Sequence, residues 1–446
     1  MITKSEYENK KSSLSRQLLT LRGKGSVALA KSTTNLFRHR KRQGIQRMRC
    51  EQFNDIISID KKNAIVEVEG MTTYEKLFDE TSTHGFMPAV VPQLKTITVG
   101  GAVSGGGIES TSFKAGLVHE SITEMDILLS DGNTVVCTRE NDYKDLFFGF
   151  PNSYGTLGYA LKLKVKLIPI KKYVRITHLR HDNPINFFHA LKEHCAHRTV
   201  DFIDGTIFSE DELYLTLGEF ADQAPEVSDY TYMEIYYKSI REKRIDYLTT
   251  YDYIWRWDTD WFWCSKHFLV QNPAVRFIIG EKRLRSSTYA KLMKLNHDYP
   301  LFDFLSGIFD KRESVIQDVQ IPIDNFTQFL NFFQKEIRIS PIWVCPTRVH
   351  DRNTVFDLYK IDPDKLYVNF GFRDVIKSPH DGYHNLKVEK MVKTLQGKKS
   401  LYSSSYYSSY YSDEEFWELY NKSAYDRLKS KYDPVNAFPG IYEKCV

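Results

Sequence analysis

The sequence predicts an α+β protein built around two hydrophobic cores, and three observations carry that expectation. Up to Pro169, short apolar runs with strand-like alternation are separated by turn residues, with few helical stretches between them. Beyond Pro169 the segments lengthen and mix helix with strand. A chain of 446 residues, 42% hydrophobic and 26% charged, is long and apolar enough for two globular cores. The expected division is 1–170, 171–395 and a C-terminal segment, 396–446.

In chain order, Ser5–Leu21 reads as a polar helix and Ser26–Ala30 as a strand. Arg38–Arg49 follows with six basic residues in twelve, which suits either a solvated loop or an anion site, because a guanidinium fork pairs with phosphate oxygens through two hydrogen bonds. Asp55–Ile59 and Ala64–Glu69 alternate as strands around the turn Asp60–Asn63. A helix over Thr73–Ser82 stops near His84-Gly85, and Phe86–Val91 leads into a glycine-rich stretch. Glu124–Leu129 and Thr134–Cys137 flank an Asp131-Gly132 hairpin turn. Gly155-Thr-Leu-Gly158 then opens the strand Tyr159–Ile168, which Pro169 ends.

In the second half, Tyr251–Trp263 (Y-D-Y-I-W-R-W-D-T-D-W-F-W) holds four of the six tryptophans. Its interleaved Arg256, Asp258 and Asp260 are costly to bury, so partial exposure beside a cavity or at an interface is expected. Val315–Ile323 and Pro341–Pro346 read as strands around the helix Thr327–Glu336, and Leu366–Gly371 as another strand. Lys399–Ser412 has the serine content of a low-complexity linker but too many tyrosines for a disordered tract. A last helix, Asp413–Lys431, begins on a capping box of Ser412 and Glu415, which gives Glu414 and Glu415 a structural explanation and no catalytic one.

Composition excludes several classes. A formal charge of +4 is too small to imply a nucleic-acid partner. The six cysteines are scattered without a C-x-x-C pair, so neither a metal site nor a disulfide framework is indicated and a reducing compartment fits. The N-terminus is too polar for a signal peptide, and no apolar run approaches the ~20 residues of a membrane span; a cytoplasmic or peripheral membrane location is expected. No G-x-G-x-x-G opens a helix after a strand and no G-x-x-x-x-G-K-[ST] exists, so Rossmann and Walker sites are unsupported. Aromatic residues at 14% suggest a large core or a wide apolar binding surface.

The stretch Pro92–Glu120 contains six of the 23 glycines among serines and threonines, the composition of backbone that must come close to something else. Two readings are open: a glycine-rich turn between strands, or an anion cradle in which successive amides free of Cβ atoms, helped by small hydroxyls, donate to phosphate oxygens.

The order of residues is more specific. Thr-Val-Gly-Gly-Ala, then Ser-x-x-x-Gly-Leu-x-x-Glu and a strand ending in Asp131-Gly132 resembles the pyrophosphate-binding segment of the vanillyl-alcohol oxidase superfamily of PCMH-type flavoenzymes. Within it, G-G-G-I-E-S-T-S-F-K-A-G-L is most similar to the Δ24-sterol reductase family, and further matches occur at Gly155–Gly158, Pro341–Pro346, Glu414–Glu418 and Ala437–Pro439. The resemblance implies a two-subdomain FAD-binding domain, an α+β cap over the substrate, and a C-terminal segment that returns to the FAD domain and completes the active site. It implies FAD with its pyrophosphate along Thr98, Val99, Gly100, Gly101, Ala102, Ser104, Gly105, Gly106 and Gly107, with Ser110, Ser112, Gly116 and Glu120 on the same cradle. The flavin ring is expected near Gly155, Thr156 and Gly158. The superfamily's first glycine-rich loop is represented only by Gly44. Covalent members use a His or Cys against the ring, typically a His after glycines; no Gly-His pair occurs here, so FAD is expected to be non-covalent.

The family chemistry implied is reduction of a carbon–carbon double bond in a sterol- or isoprenoid-like substrate, with hydride leaving flavin N5 for one alkene carbon and a protein acid protonating the other. Acid candidates are Tyr402, Tyr406 and Tyr407, with Lys398 and Lys399 behind them. NADPH is a candidate electron donor, and the partners expected are a small apolar substrate and a membrane surface in peripheral contact. Two alternatives stand beside this reading. One is an FAD-dependent alcohol or sugar oxidase or dehydrogenase, disfavoured by the Ser- and Tyr-rich C-terminal segment; the other is a flavin-fold binding protein without catalysis.

Overall fold

The computed structural model describes residues 2–31, 44–289, 291–292, 312–380, 382–401 and 411–445, and they form an α+β protein with three sheets. β1 (Val27–Ala30) and β2 (Gln46–Arg49) pair in parallel. The helix Lys4–Leu21 packs beside them, its N-terminus fixed by a Thr3/Glu6 capping box and its inner face by Tyr7, Leu14 and Leu18.

The second sheet is antiparallel and contains β3 (Ile56–Asp60), β4 (Ile65–Glu69), β5 (Phe86–Pro88), β6 (Ile122–Leu128), β7 (Thr134–Thr138) and β8 (Tyr159–Pro169). The order is β3-β4-β8-β6-β7, with β5 also on β8. β8 is the spine: its apolar residues alternate inward, and Leu161, Leu163, Val165 and Leu167 are buried.

The third sheet holds β9 (Tyr173–His181), β10 (Phe202–Ser209), β11 (Glu212–Ala221), β12 (Ile245–Thr249), β13 (Arg312–Pro322), β14 (Ile342–Thr347), β15 (Tyr367–Lys377) and β16 (Lys398–Lys399). Among the described residues its antiparallel order is β12-β9-β11-β10-β14-β15-β13-β16. The helices Pro184–His197 and Phe326–Glu336 cover it, Phe187, Leu191, Phe329 and Phe333 closing a core with Phe370 and Phe372.

Three expectations change. The glycine stretch is a helix, Val99–Gly105, rather than a turn or open loop. The last helix is two, Asp413–Tyr420 and Lys422–Tyr432, because Asn421 is left-handed (φ 54°) and caps the second with its side chain. The tryptophan-rich segment is not partly exposed: Trp255, Trp257, Trp261 and Trp263 are buried, and so are Arg256, Asp258 and Asp260. Burial is tolerated because each charge has a dedicated partner. Arg256 pairs with Asp204 (2.7 Å) and Asp260 with Arg276 (2.8 Å), while Asp258 accepts from Ser286 Oγ (2.5 Å) and the Lys95 amide (3.1 Å). The segment does lie at a joint, since Trp255 packs edge-on against Phe78 of the helix Tyr74–Ser82.

The C-terminal helices lie on the β8 side of the molecule. Lys429 Nζ donates to the Thr156 and Phe438 carbonyls (2.9 Å each), Val27 N to Ala437 O (2.7 Å), and Phe438 packs edge-on against Tyr159. No helix among the described residues is long and apolar enough to cross a membrane, and the six cysteines are buried.

Candidate functional site

The helix Val99–Gly105 is capped by Thr98, whose hydroxyl accepts from Gly101 N (3.3 Å). Its other early amides are also engaged inside the protein. Val99 N donates to Thr72 O (2.9 Å), Gly100 N to Gly70 O (2.8 Å) and Ala102 N to Thr98 O (2.9 Å). At the far end Gly106 N and Gly107 N both donate to Ala102 O, and Ser104 Oγ donates to Gly101 O (3.3 Å). The expected row of free donors is therefore absent from these amides: helix formation alone would leave the first of them open, but the Gly70 and Thr72 carbonyls and the Thr98 hydroxyl take them up.

The glycines divide by what a side chain would meet. A Cβ on Gly100 would lie 2.8 Å from the Gly70 carbonyl oxygen, and one on Gly107 2.7 Å from Val118 Cγ2, so these two are small for packing. Gly106 is different. It ends the helix at φ 78°, and the nearest atom to a Cβ there is Asn152 Oδ1 at 3.8 Å. Gly105 lies beneath the Tyr154 ring, whose hydroxyl donates to Gly105 O (2.9 Å).

The second half of the predicted cradle ties the glycine segment to the third sheet. Ser112 Oγ accepts from Glu109 N (3.0 Å), and Ser110 O accepts from Ile203 N of β10 (2.9 Å). Glu120 accepts from Leu117 N (2.9 Å) and His350 N (2.7 Å), and its carboxylate fills the space above Gly116. Burial pushes the Glu120 carboxyl up and the two amides pull it back. Ser110, Ser112, Gly116 and Glu120 are thus brought together, with packing explaining Gly116 and hydrogen bonds within the protein engaging the other three.

The loop before β8 carries backbone strain. Asn152 (φ 62°) and Tyr154 (φ 54°) are left-handed without being glycine, and Gly155 (φ 73°) and Gly158 (φ 143°) follow. Thr156 Oγ1 donates to Ser153 O (2.7 Å), and Gly158 is held against the Leu128 carbonyl. Asn152 Nδ2 donates to Leu358 O (3.1 Å), but Asn152 Oδ1 and Ser153 Oγ are buried without a partner. Unpaired buried polar atoms cost stability, and Asn152 Oδ1 is the atom that a Cβ on Gly106 would meet, at 3.8 Å. Sequence reasoning missed both; the signal was Asn152 ahead of Ser-Tyr-Gly, a residue that tolerates left-handed backbone placed next to glycine.

A small cleft lies between Leu117–Glu120 and the segment joining β14 to β15, lined by Leu117, His119, Glu120, Phe356, Tyr359 and Lys360. Burial lowers the His119 pKa to about 3, so the ring is neutral, and its Nδ1 has no partner. Tyr359 donates to Gln320 Oε1 (3.0 Å), and Lys398 Nζ lies 5.3 Å from the Tyr359 ring centroid. Burial, with Lys360 adding to it, lowers Lys398 to about 8. Lys399 differs from its neighbour: it forms a buried ion pair with Glu389, and its carbonyl accepts from Tyr420 (2.7 Å). Tyr402, Tyr406 and Tyr407 lie outside the described residues, as do His39 and most of the basic run.

Comparison with known proteins defines the class. The FAD binding domain family matches residues 17–138, which take in the helix Val99–Gly105 and the strands around it. Residues 17–138 are an FAD-binding domain of the PCMH type, and the chain is by class a flavin oxidoreductase. More particularly, it is 29% identical over 409 residues to the Delta(24)-sterol reductase of Homo sapiens, covering 87% of this chain and 76% of that one. It is 26% identical over 434 residues to a Delta(24)-sterol reductase homolog of Caenorhabditis elegans (90% and 79%) and 25% over 439 residues to the Delta(24)-sterol reductase of Pisum sativum (88% and 75%).

The chain's own residues fit the cofactor. The space over Gly106 admits a group that a side chain would exclude. Asn152 Oδ1 offers an unpaired polar atom beside it, and Lys31, hydrogen-bonded to Thr98 Oγ1 (3.0 Å), offers positive charge at the other end of the helix.

Proposed function

We propose that the protein reduces a carbon–carbon double bond of an apolar sterol- or isoprenoid-like substrate, with non-covalent FAD as its redox group and NADPH as electron donor. The observation that carries this reading is the extent of the similarity to Delta(24)-sterol reductases: it covers 87% of the chain with the human protein and so reaches well beyond the FAD-binding domain. FAD, when bound and reduced by NADPH, would supply hydride to one alkene carbon and return to its oxidised form.

The remaining work falls to side chains. The Gly106–Asn152–Ser153 region holds the cofactor, with the other cradle residues from Thr98 to Glu120 and Gly155, Thr156 and Gly158 shaping it. The proton for the second carbon comes from the segment that begins at Lys398. Lys399 is excluded as the acid by its pairing with Glu389. Lys398, at about 8, is mostly protonated near neutral pH yet a stronger acid than an ordinary lysine. Tyr402, Tyr406 and Tyr407 follow it and are the phenolic donors. An apolar substrate that partitions into bilayers supports a cytoplasmic protein in peripheral contact with membrane.

The test is anaerobic. The purified flavoprotein is reduced with NADPH, or with dithionite if NADPH fails, then mixed with a side-chain-unsaturated sterol, an isoprenoid alkene, a sugar or an alcohol while flavin absorbance is followed. Reoxidation by an alkene together with the saturated product supports the proposal. Reduction of the oxidised flavin by an alcohol or sugar, with no reoxidation by any alkene, overturns it.

A further inference from the structure

The two-stranded sheet at the N-terminal end collects positive charge without compensation. Lys31 directly follows β1, and in the parallel register Ala28 lies beside Arg47 and Ala30 beside Arg49. Arg47 donates to Leu29 O (3.2 Å), and Arg49 uses its backbone amide on Gln17 Oε1 (2.6 Å). Among the described residues none of Lys31, Arg47 and Arg49 forms an ion pair with a carboxylate. Arg47 and Arg49 are exposed and solvated, but Lys31 is half-buried. Its ammonium has one hydrogen-bond partner, the Thr98 hydroxyl, and burial lowers its pKa. Cys50 acts on it electrostatically but is itself pushed up to about 12 by burial and hence neutral.

A desolvated cation with no counter-charge opposes folding, and such a group persists where an anion from outside the chain completes it. The place is specific. Lys31 Nζ would lie 3.3 Å from a Cβ on Gly101, so it occupies the ground that any larger residue at 101 would take. Thr98 does not need it, because its cap is already made to Gly101 N. The amides of Val99, Gly100 and Gly101 are engaged within the protein and supply no charge to an incoming anion.

We propose that Lys31 is the cationic partner of the FAD pyrophosphate and stands in for the glycine-rich loop that this chain lacks. The inference rests on the reading of this protein as an FAD enzyme and adds to it which atom neutralises the phosphates. An ammonium is a compact charge that needs no fork geometry, so one lysine on a strand end performs the task.

Apoprotein is titrated calorimetrically with FAD and, as a phosphate-free probe, with riboflavin. For Lys31→Met the FAD dissociation constant rises about 10- to 100-fold, the range of a lost charge-assisted hydrogen bond, while riboflavin affinity stays at the wild-type value. Lys31→Arg retains most of the FAD affinity. Apo Lys31→Met melts at or above the wild-type temperature, since an uncompensated charge has been removed; a residue with a purely structural role would melt lower. Unchanged FAD affinity in Lys31→Met, or an equal proportional loss of FAD and riboflavin, overturns the assignment. If wild-type apoprotein takes up neither flavin, the FAD reading itself falls and this one with it.

Discussion

Substituting Gly106 separates cofactor space from folding. Gly106 closes the helix Val99–Gly105 at φ 78° and ψ 79°, a conformation that an L-residue adopts at a cost of about 1–2 kcal/mol. No atom lies closer than 3.8 Å to a Cβ placed there, so Gly106→Ala adds strain but no clash and the variant remains folded. Gly100→Ala is the contrasting case: its Cβ would lie 2.8 Å from the Gly70 carbonyl and 3.3 Å from that of Ala160, both backbone atoms that cannot rotate away. Gly106→Val places two further carbons in the open space, and overpacking of this size costs about 1–3 kcal/mol of binding, or roughly 10- to 100-fold in affinity. The assay pairs flavin content after dialysis with thermal melting of the apoprotein. Gly106→Val is expected to lose flavin while melting only a few degrees lower; Gly100→Ala is expected to lose both. Full flavin content in Gly106→Val would refute the placement of FAD over this residue.

Further outcomes follow from the same geometry. If Lys398 donates the proton, alkene-driven flavin reoxidation falls as pH rises through about 8, and Lys398→Met flattens that profile; an unaltered profile in Lys398→Met, with loss in one of the Tyr402, Tyr406 or Tyr407→Phe variants instead, transfers the role to that phenol. The same lysine affects stability. Its folded pKa lies below the ordinary 10.5, so its cost is fully present below pH 8 and is relieved between about 8 and 10.5, a rise in unfolding free energy that Lys398→Met abolishes in urea titrations. Arg256→Met leaves Asp204 buried with only the Trp343 indole as partner (3.2 Å) and lowers stability by about 3–5 kcal/mol; a loss below about 1 kcal/mol would show that the pair is not desolvated. Acid precipitation leaves the flavin in the supernatant, and a yellow protein pellet would disprove non-covalent binding.

Much of the FAD-binding half was legible because its signals are local. Asp131-Gly132 makes a hairpin whichever fold contains it, and Gly132 is found at φ 89° between β6 and β7. Alternation along β8 and the capping box at Ser412 are likewise properties of a few neighbouring residues. The tryptophan-rich segment was read wrongly on exposure for the opposite reason. Arg256, Asp258 and Asp260 look unfit for burial until their partners are known, and those partners, Asp204, Ser286 and Arg276, lie 52, 28 and 16 residues away. Composition within a window cannot weigh a charge against a counter-charge that only the fold delivers.

The glycine segment shows the limit most sharply, because a glycine reports the absence of a Cβ without reporting which way that Cβ would point. Gly100 and Gly107 face backbone and side chains of the protein, Gly116 faces its own Glu120, and Gly158 faces the Leu128 carbonyl. Only the direction of the missing side chain distinguishes these from Gly106, where a Cβ would clash with nothing and would meet an unpaired Asn152 oxygen at 3.8 Å. The same holds for cations. Lys31 is one lysine among many in the sequence, and what singles it out is subtraction: among the described residues no carboxylate pairs with it, while its ammonium donates to the Thr98 hydroxyl beside the bare face of Gly101. A site for an anion is therefore recognised here by charge that the chain leaves uncompensated and by space it leaves unfilled, two quantities defined only after folding, and the glycine count points to the neighbourhood without choosing the residues.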